Sequence, residues 1–322
     1  MKIGVLGTGS IASTLSNTFN RMAEVECYAV ASRNIVKANE FKEKYNYEKA
    51  YGSYVELVKD PNVELVYVAT PHSTHFDCMK LCIENHKPVL CEKAFCVNAK
   101  QAKEIYELSK KNNVFVSEAL WPRYMPSRKL IDDVISSGII GKPNILTGNL
   151  SYVIYQIDRL INPNLAGGAL LDVGVYGLNF ALMHFGDDIE RIETSVKMTD
   201  TNVDGMETIT LFYKDGRMAS LTHGLYSRSD RKGIIYGDKG YIVIENINNP
   251  NSIKVFDCDD KLVKEVIIPE QISGYEYEFL ECKKCLEEGR IESISMPLNE
   301  SIKLLEIADK IRNIWGLKYP FE

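Results

Sequence analysis

The sequence predicts a two-domain α/β protein, a doubly wound parallel sheet followed by an α+β domain built on a large, mostly antiparallel open sheet. Three observations predict it. The chain has 322 residues, about twice a typical domain of roughly 150 residues. Up to about residue 118, short apolar runs alternate with segments of helical periodicity, the rhythm of βαβ units. Beyond that point strand-like runs follow one another directly, separated by hairpin-type turns. With 45% hydrophobic and 25% charged residues there is ample material for a core, so disorder is excluded.

In chain order, KIGVL, VECYAVAS, LVYVAT, PVLCE and VFVSEA read as buried parallel strands. The pieces between them read as helices because apolar residues recur every three or four positions, as at Phe76, Met79, Cys82 and Ile83, or Ala102, Ile105, Tyr106 and Leu108. Asn85 and Asn112-Asn113 stop two of these helices before the next strand. The first domain is therefore placed at residues 1–118 and the second at 119–322. The second opens with a helix over Pro126 to Ser137, then ILTGNLSYV and the Gly-rich entry GGALLDVGVYGLNFALMHF. RIETSVKMT, METITLFY, MASLTHG, KGIIYG, GYIVIE, SIKVFD and KEVIIP follow as strands, punctuated by turns such as Lys214-Asp215-Gly216 and Asp238-Lys239-Gly240. Ile209, Leu211 and Leu221 alternate at period two and are read as an outward apolar face that pairs two subunits into a homodimer or higher homo-oligomer. Helices over about Tyr275 to Glu288 and Glu300 to Trp315 end the chain, the last expected to pack back on the first domain.

Composition narrows the function. The net charge is −6, its excess acid lies beyond residue 118, and Lys/Arg clusters do not exceed pairs, so a phosphate-neutralising stripe for nucleic acid is absent. No uninterrupted apolar run approaches the roughly 18 residues of a membrane span, and MKIGVLGTGS enters a strand without a signal-peptide pattern; the expected location is cytoplasmic. The eight cysteines read as free thiols, and the lone CxxC at Cys282 and Cys285 lacks a second pair. HxH and HExxH spacings are absent, so no metal is expected.

Gly7-Thr8-Gly9-Ser10-Ile11-Ala12 is a GxGxxA turn placed directly between a strand and a helix. Gly7 permits the tight turn, Gly9 lets the backbone approach a pyrophosphate, and Ala12 lets helix and strand pack closely, with the anion at the helix N-terminus. An ordinary glycine turn is the structural alternative. In that context the first domain reads as a Rossmann dinucleotide-binding domain. An NAD site usually offers a carboxylate at the end of the second strand. Here that strand ends Ala31-Ser32-Arg33, with Lys37 four residues on, a hydroxyl and positive charge suited to the 2′-phosphate of NADP. NADP is the expected cofactor, with NAD possible.

Two further clusters fall at carboxyl ends of parallel strands, where such sheets bind ligands: Thr70-Pro71-His72-Ser73-Thr74-His75 and Glu92-Lys93-Ala94. With GTGSIA, these segments and GGALLDVGVY, the chain resembles the Gfo/Idh/MocA oxidoreductase family essentially end to end. YGSYVELVKDPNVELVYVAT, VLCEKAFCVNA, EALWPRYMP and GGALLDVGVYGLNF resemble the branch of dimeric dihydrodiol dehydrogenases and NADP-dependent xylose dehydrogenases. The resemblance implies that Lys93 is the lysine of the EKP motif, beside the nicotinamide ribose and substrate, although Ala94 stands where many members have proline. It places the DxGxY motif on Asp172, Gly174 and Tyr176, with Tyr176 as acid/base, and puts Trp121 and Arg123 near cofactor and substrate. Thr70, Pro71, His72, His75 and Glu92 join the implied cofactor site. His75 reads as structural or cofactor-proximal rather than as the base.

The chemistry is intelligible from the residues. Oxidising a carbinol needs a hydride acceptor and a group that takes the hydroxyl proton. A tyrosine of ordinary pKa near 10 is a poor base, and a nearby ammonium such as Lys93 favours its phenolate. Asp172 and Tyr176, four positions apart, share a helix face. A surface lysine, a core tyrosine and a capping carboxylate are the structural alternatives. Arg123, Tyr124, Tyr152, Tyr155, Arg159, Asp172, Tyr176 and Lys93 form the expected pocket for a polyhydroxylated small molecule. The reading is an NADP-linked dehydrogenase or reductase acting on a sugar, cyclic diol or polyol. The alternatives are a non-catalytic NADP-binding redox sensor and a hydrolase that oxidises and re-reduces a glycoside.

Overall fold

Six short strands, β1 (Lys2–Leu6), β2 (Glu26–Ala31), β3 (Lys49–Tyr51), β4 (Leu65–Val68), β5 (Val89–Glu92) and β6 (Val116–Ala119), pair in parallel in the order 3-2-1-4-5-6. Helices α1 (Ser10–Phe19), α2 (Ile35–Tyr45), α3 (Tyr54–Lys59), α4 (His75–Glu84) and α5 (Ala99–Asn112) make the crossovers. Every residue of β4, β5 and β6 is buried, as expected of strands covered on both faces, with β4 an unbroken apolar run and Glu92, Ser117 and Glu118 the polar residues of the other two. The strand order reverses between β1 and β4, so their carboxyl ends feed loops that run apart and leave a crevice. The computed structural model describes residues 1–322.

The second sheet follows α6 (Pro126–Ser136) and opens with β7 (Pro143–Ser151). After a short turn of helix, α7 (Asp158–Ile161), a π-helical turn over Leu170–Gly174 runs into α8 (Val175–Phe185). Seven more strands complete an eight-stranded sheet: β8 (Ile189–Met198), β9 (Asp204–Tyr213), β10 (Met218–Gly224), β11 (Gly233–Gly237), β12 (Gly240–Glu245), β13 (Ser252–Asp257) and β14 (Leu262–Val266). Its order is 14-13-12-11-7-10-9-8, antiparallel except for β7 beside β10. Ile209, Leu211 and Leu221 are fully buried, which corrects their expected outward placement. Period-two alternation separates two faces of a strand without saying which one faces the core; the residues between them, Thr208, Thr210, Ser220 and Thr222, are the outward set. The stretch Pro163–Phe185 is long and apolar enough to cross a membrane by composition, at hydropathy 1.4, yet 94% of that window is buried inside the protein as its core helix.

The division of the chain differs from one cut at 118/119. One unit joins Met1–Tyr124 to Gln271–Leu305, and the other joins Met125–Glu270 to Glu306–Glu322. Helix α9 (Glu276–Glu287) therefore belongs to the first unit. Its Phe279 packs edge-on to Phe19 at 4.6 Å and against Tyr67 at 5.5 Å, and Cys282 and Cys285 complete the same core as buried thiols. Just after it, Ile291 O accepts from Val116 N at the edge of β6. The final helix, α10 (Leu298–Trp315), is divided: its start up to Leu305 counts with the first unit and the rest with the second. In the second unit Trp315 Nε1 donates to Thr194 Oγ1, and Tyr319 OH donates to Gly167 O.

Candidate active site

The glycine-rich turn connects β1 to α1. Gly7 has φ 108°, and a Cβ there would lie 2.7 Å from Ala69 O, so side chains are excluded by both conformation and contact with the end of β4. A Cβ at Gly9 would project into open space. Gly9 is the N-cap of α1 without a side-chain cap, and the first turn holds no acidic residue. The first-turn amides are therefore available to an anion, with the helix dipole favouring one. Thr8 and Ile11 are half-buried, Ser10 is exposed, and Ala12 is fully buried where helix meets sheet. These residues fit a pyrophosphate.

At the end of β2, Ser32 N donates to Tyr51 O, and Ser32 Oγ accepts from Asn34 N at 3.2 Å. Asn34 then caps α2, its Oδ1 accepting from Val36 N and Lys37 N. This cap is absent from the sequence reading, although Asn before a helical run is its usual signal. Arg33 and Lys37 are exposed, and no carboxylate occupies the strand end. Burial raises the Tyr54 hydroxyl and Cys78 thiol, and the Arg33 charge partly offsets both.

The exits of β4 and β5 are tied together. His75 opens α4 fully buried, with Nδ1 2.8 Å from Ala94 O and Nε2 2.8 Å from Thr70 O. Both ring nitrogens thus face carbonyls, which only accept, and the ring serves as a strut between the two loops. Its edge meets His72, also buried, at 5.7 Å between centroids, while Thr70 and Pro71 line the loop half-buried. Glu92 is buried between two donors, Tyr67 OH and Lys93 N. Lys93 itself is half-buried at the end of β5, and the Lys93–Ala94 peptide is cis.

After β6, the expected site residues Trp121, Arg123 and Tyr124 each meet a side-chain partner. Tyr124 is buried, its OH 2.8 Å from Ser117 Oγ and donating to Glu118 O at 2.7 Å. Arg123, also buried, pairs through Nη1 with Glu300 at 3.1 Å. Trp121 stacks on Tyr275, centroids 4.1 Å apart and planes within 10°. Tyr275 and Glu300 carry no motif, and only the fold brings them to these positions. Beside them Glu118 is fully buried, accepts from Phe95 N, and is pushed up to about 7 by desolvation.

In the second unit the π-helical turn carries Asp172 and α8 carries Tyr176, both buried. Asp172 Oδ1 accepts from Arg159 Nη1 at 3.0 Å. Tyr155, 41% exposed, leans on Tyr226 at 5.2 Å, and half-buried Tyr152 lies 5.9 Å from the Arg231 guanidinium. The second unit thus brings Asp172 and Arg159 together.

Residues 1–120 match the model of an oxidoreductase family with an NAD-binding Rossmann fold, and residues 129–243 match the GFO/IDH/MocA C-terminal domain. The trans-1,2-dihydrobenzene-1,2-diol dehydrogenase of Mus musculus is 33% identical over 333 residues, spanning 99% of this chain and 98% of that protein. The enzyme of the same name from Homo sapiens is 31% identical over 336 residues, with the same coverage. Among solved structures, a 3-ketoreductase from Actinomadura kijaniata in complex with NADP superposes with TM-score 0.88 at 20% identity, covering 97% of each chain. An aldose-aldose oxidoreductase from Caulobacter crescentus gives TM-score 0.88 at 18% identity and 98% coverage of each.

Proposed function

The chain belongs to the Gfo/Idh/MocA family of NAD(P)-dependent oxidoreductases, and from that premise we propose that it prefers NADP and interconverts hydroxyl and carbonyl on a cyclic diol, sugar or related polyol. The observation that carries the reading is the pairing, on one parallel sheet, of an anion-ready turn after β1 with Lys93 at the end of β5. A sensor needs the turn alone. The curated relatives are named as dihydrodiol dehydrogenases, which makes a trans-diol on a six-membered ring the leading substrate.

Gly7 to Ala12 would hold the pyrophosphate, and Ser32, Arg33 and Lys37 the 2′-phosphate. The nicotinamide, when bound, supplies hydride transfer. The protein's own task is the hydroxyl proton. We assign its removal to Tyr176, with Lys93 favouring the phenolate and Asp172, oriented by Arg159, receiving a substrate hydroxyl. His75 has both ring nitrogens on backbone carbonyls and serves as a strut.

The test is a panel of cyclic diols, aldoses and polyols offered with NADP and NAD, following the near-ultraviolet absorbance of reduced nicotinamide. Turnover on a ring diol or aldose is expected. Tight NADP binding with no turnover across the panel would instead favour a redox sensor.

A further inference from the structure

Beneath the segment that carries Asp172 and Tyr176 lies a group of three buried ionisable residues: Asp204 and Glu207 on β9 and His223 on β10. Glu207 and His223 are cross-strand partners on the inward face, and His223 Nδ1 and Glu207 Oε1 share a hydrogen bond at 2.9 Å. They stand where the strand pattern calls for apolar residues. Ile209, Leu211 and Tyr213 continue the parity of Glu207, and Ala219 and Leu221 that of His223, all buried.

Each of the three meets one glycine of the GGALLDVGVYG segment. A Cβ at Gly168 would collide with Asp204 Oδ1, one at Gly174 with Glu207 Oε1, and one at Gly177 with His223 Nε2. Asp204 also reaches the backbone, its Oδ2 accepting from Leu170 N at 2.5 Å where the π-helical turn begins. The supported positions 170, 174 and 177 are spaced by four and three and so form one face of the helix. Asp172 and Tyr176 are two residues removed from 170 and 174, roughly 200° around the axis at about 100° per residue. The three polar residues therefore press on the face opposite the one that carries the proposed substrate groups.

Stability alone does not explain this group. Burial pushes Glu207 up to about 8, lifts Asp204 well above the carboxylate range and brings His223 down to about 3, so burial disfavours the charged form of each. His223 Nε2 has no hydrogen-bond partner, and the Asp204 and Glu207 carboxyls are buried against each other; apolar side chains of similar volume would avoid that cost. What an apolar set would not supply is a carboxylate oxygen at Leu170 N and a fixed polar pair against two glycine Cα positions.

We propose that Asp204, Glu207 and His223 are positioning residues that seat the 168–177 segment and thereby set the placement of Asp172 and Tyr176. The inference rests on the reading that Asp172 and Tyr176 act on the substrate. Its test compares Glu207→Leu with Glu207→Gln in the full chain. Glu207→Leu should lower kcat by roughly 10- to 100-fold, the scale of a misplaced reactive group, while the KM for NADP stays within about twofold. Glu207→Gln, which keeps a hydrogen-bonding partner for His223, should recover most of the loss. Hydrogen exchange gives a readout independent of turnover: amides of 168–177 should exchange faster in Glu207→Leu, with those of Ile209 to Tyr213 unchanged. Should Glu207→Leu fail to fold, His223→Gln carries the same comparison. Unaltered exchange at 168–177, or faster exchange with wild-type kcat, overturns the proposal. A wild-type protein without turnover on any diol or sugar would sink the proposed function instead, and the exchange result would still decide whether the seat exists.

Discussion

Arg159 Nη1 donates to Asp172 Oδ1 at 3.0 Å, joining a side chain that is 41% exposed to a carboxylate that is 7% exposed. Arg159 sits on the short helix α7 and Asp172 on the π-helical turn, so the pair links a peripheral turn to the buried motif. Such a bond orients the carboxylate more than it stabilises the fold, because a half-exposed partner is well screened. Arg159→Met should therefore lower kcat/KM for the diol or sugar about tenfold and leave NADP affinity unchanged. Steady-state kinetics with both substrates varied would check this; equal losses for cofactor and substrate would deny the assignment.

NADP should bind at least about tenfold more tightly than NAD, a difference of about 1.4 kcal/mol that one charge-assisted hydrogen bond can supply. The end of β2 offers Ser32 and Arg33 and no carboxylate. Arg33→Ala should weaken NADP and spare NAD. Titration of both cofactors against both proteins measures it, and equal wild-type affinities would refute it.

What the sequence displayed and what it hid follow from how local each feature is. The Gly7–Ala12 turn works through its own backbone and its two flanking elements, so contiguous residues announce it. The periodicity of helix α9 shows an apolar face without naming the surface that face covers, here Phe19 and Tyr67, so its place in the first unit is hidden from the sequence. Arg123 and Tyr124 read as pocket residues, Arg123 through the family resemblance and Tyr124 as a polar aromatic beside it. Their partners Glu300 and Ser117 become visible only in three dimensions. Glu207 and His223 leave a trace in the sequence as ionisable residues at core parity beside Ile209 and Leu221.

Acid should destabilise the first unit through Asp60. This buried carboxylate accepts from Tyr51 OH at 2.6 Å, Lys49 Nζ at 2.9 Å, Asn62 N at 2.9 Å and Tyr28 OH at 3.2 Å. Burial by itself raises its pKa, but these bonds outweigh it and hold the group well below the usual carboxylate range. A folded pKa below the unfolded value contributes stability that is complete above the unfolded pKa, near 4, and is lost as pH falls toward the folded one. Asp60→Asn should cost roughly 1.5–3 kcal/mol at pH 7, and the gap to wild type should narrow below about pH 4. Urea unfolding at several pH values would show it; a gap independent of pH would contradict it.

We propose that the outward face of the eight-stranded sheet pairs with a second copy of this chain. Phe212, Met218, Ile145, Tyr236, Tyr241 and Phe256 are successive cross-strand partners on that face, a row of large apolar side chains spanning β9 to β13. Ile145 is 40% and Tyr236 36% exposed, and contiguous apolar surface of this kind marks interfaces. Light scattering should give a dimeric or larger mass for the wild type and a smaller one for Tyr236→Glu. A monomeric wild type would end the proposal.

Lys93 and Tyr176 should behave as one proton-relay unit. Removing either should cut turnover by a factor typical of general acid/base groups, about 10² to 10⁴. Cofactor binding should survive, because the amides after Gly9 depend on neither side chain. Two residues that serve the same step lose their effect together, so the double variant Lys93→Met, Tyr176→Phe should be little slower than the poorer single variant. Independent roles would make the losses multiply. If Tyr176→Phe kept near-normal turnover, the tyrosine would be a packing residue of α8. The proton would then fall to Lys93, since His75 already spends both ring nitrogens on Ala94 O and Thr70 O.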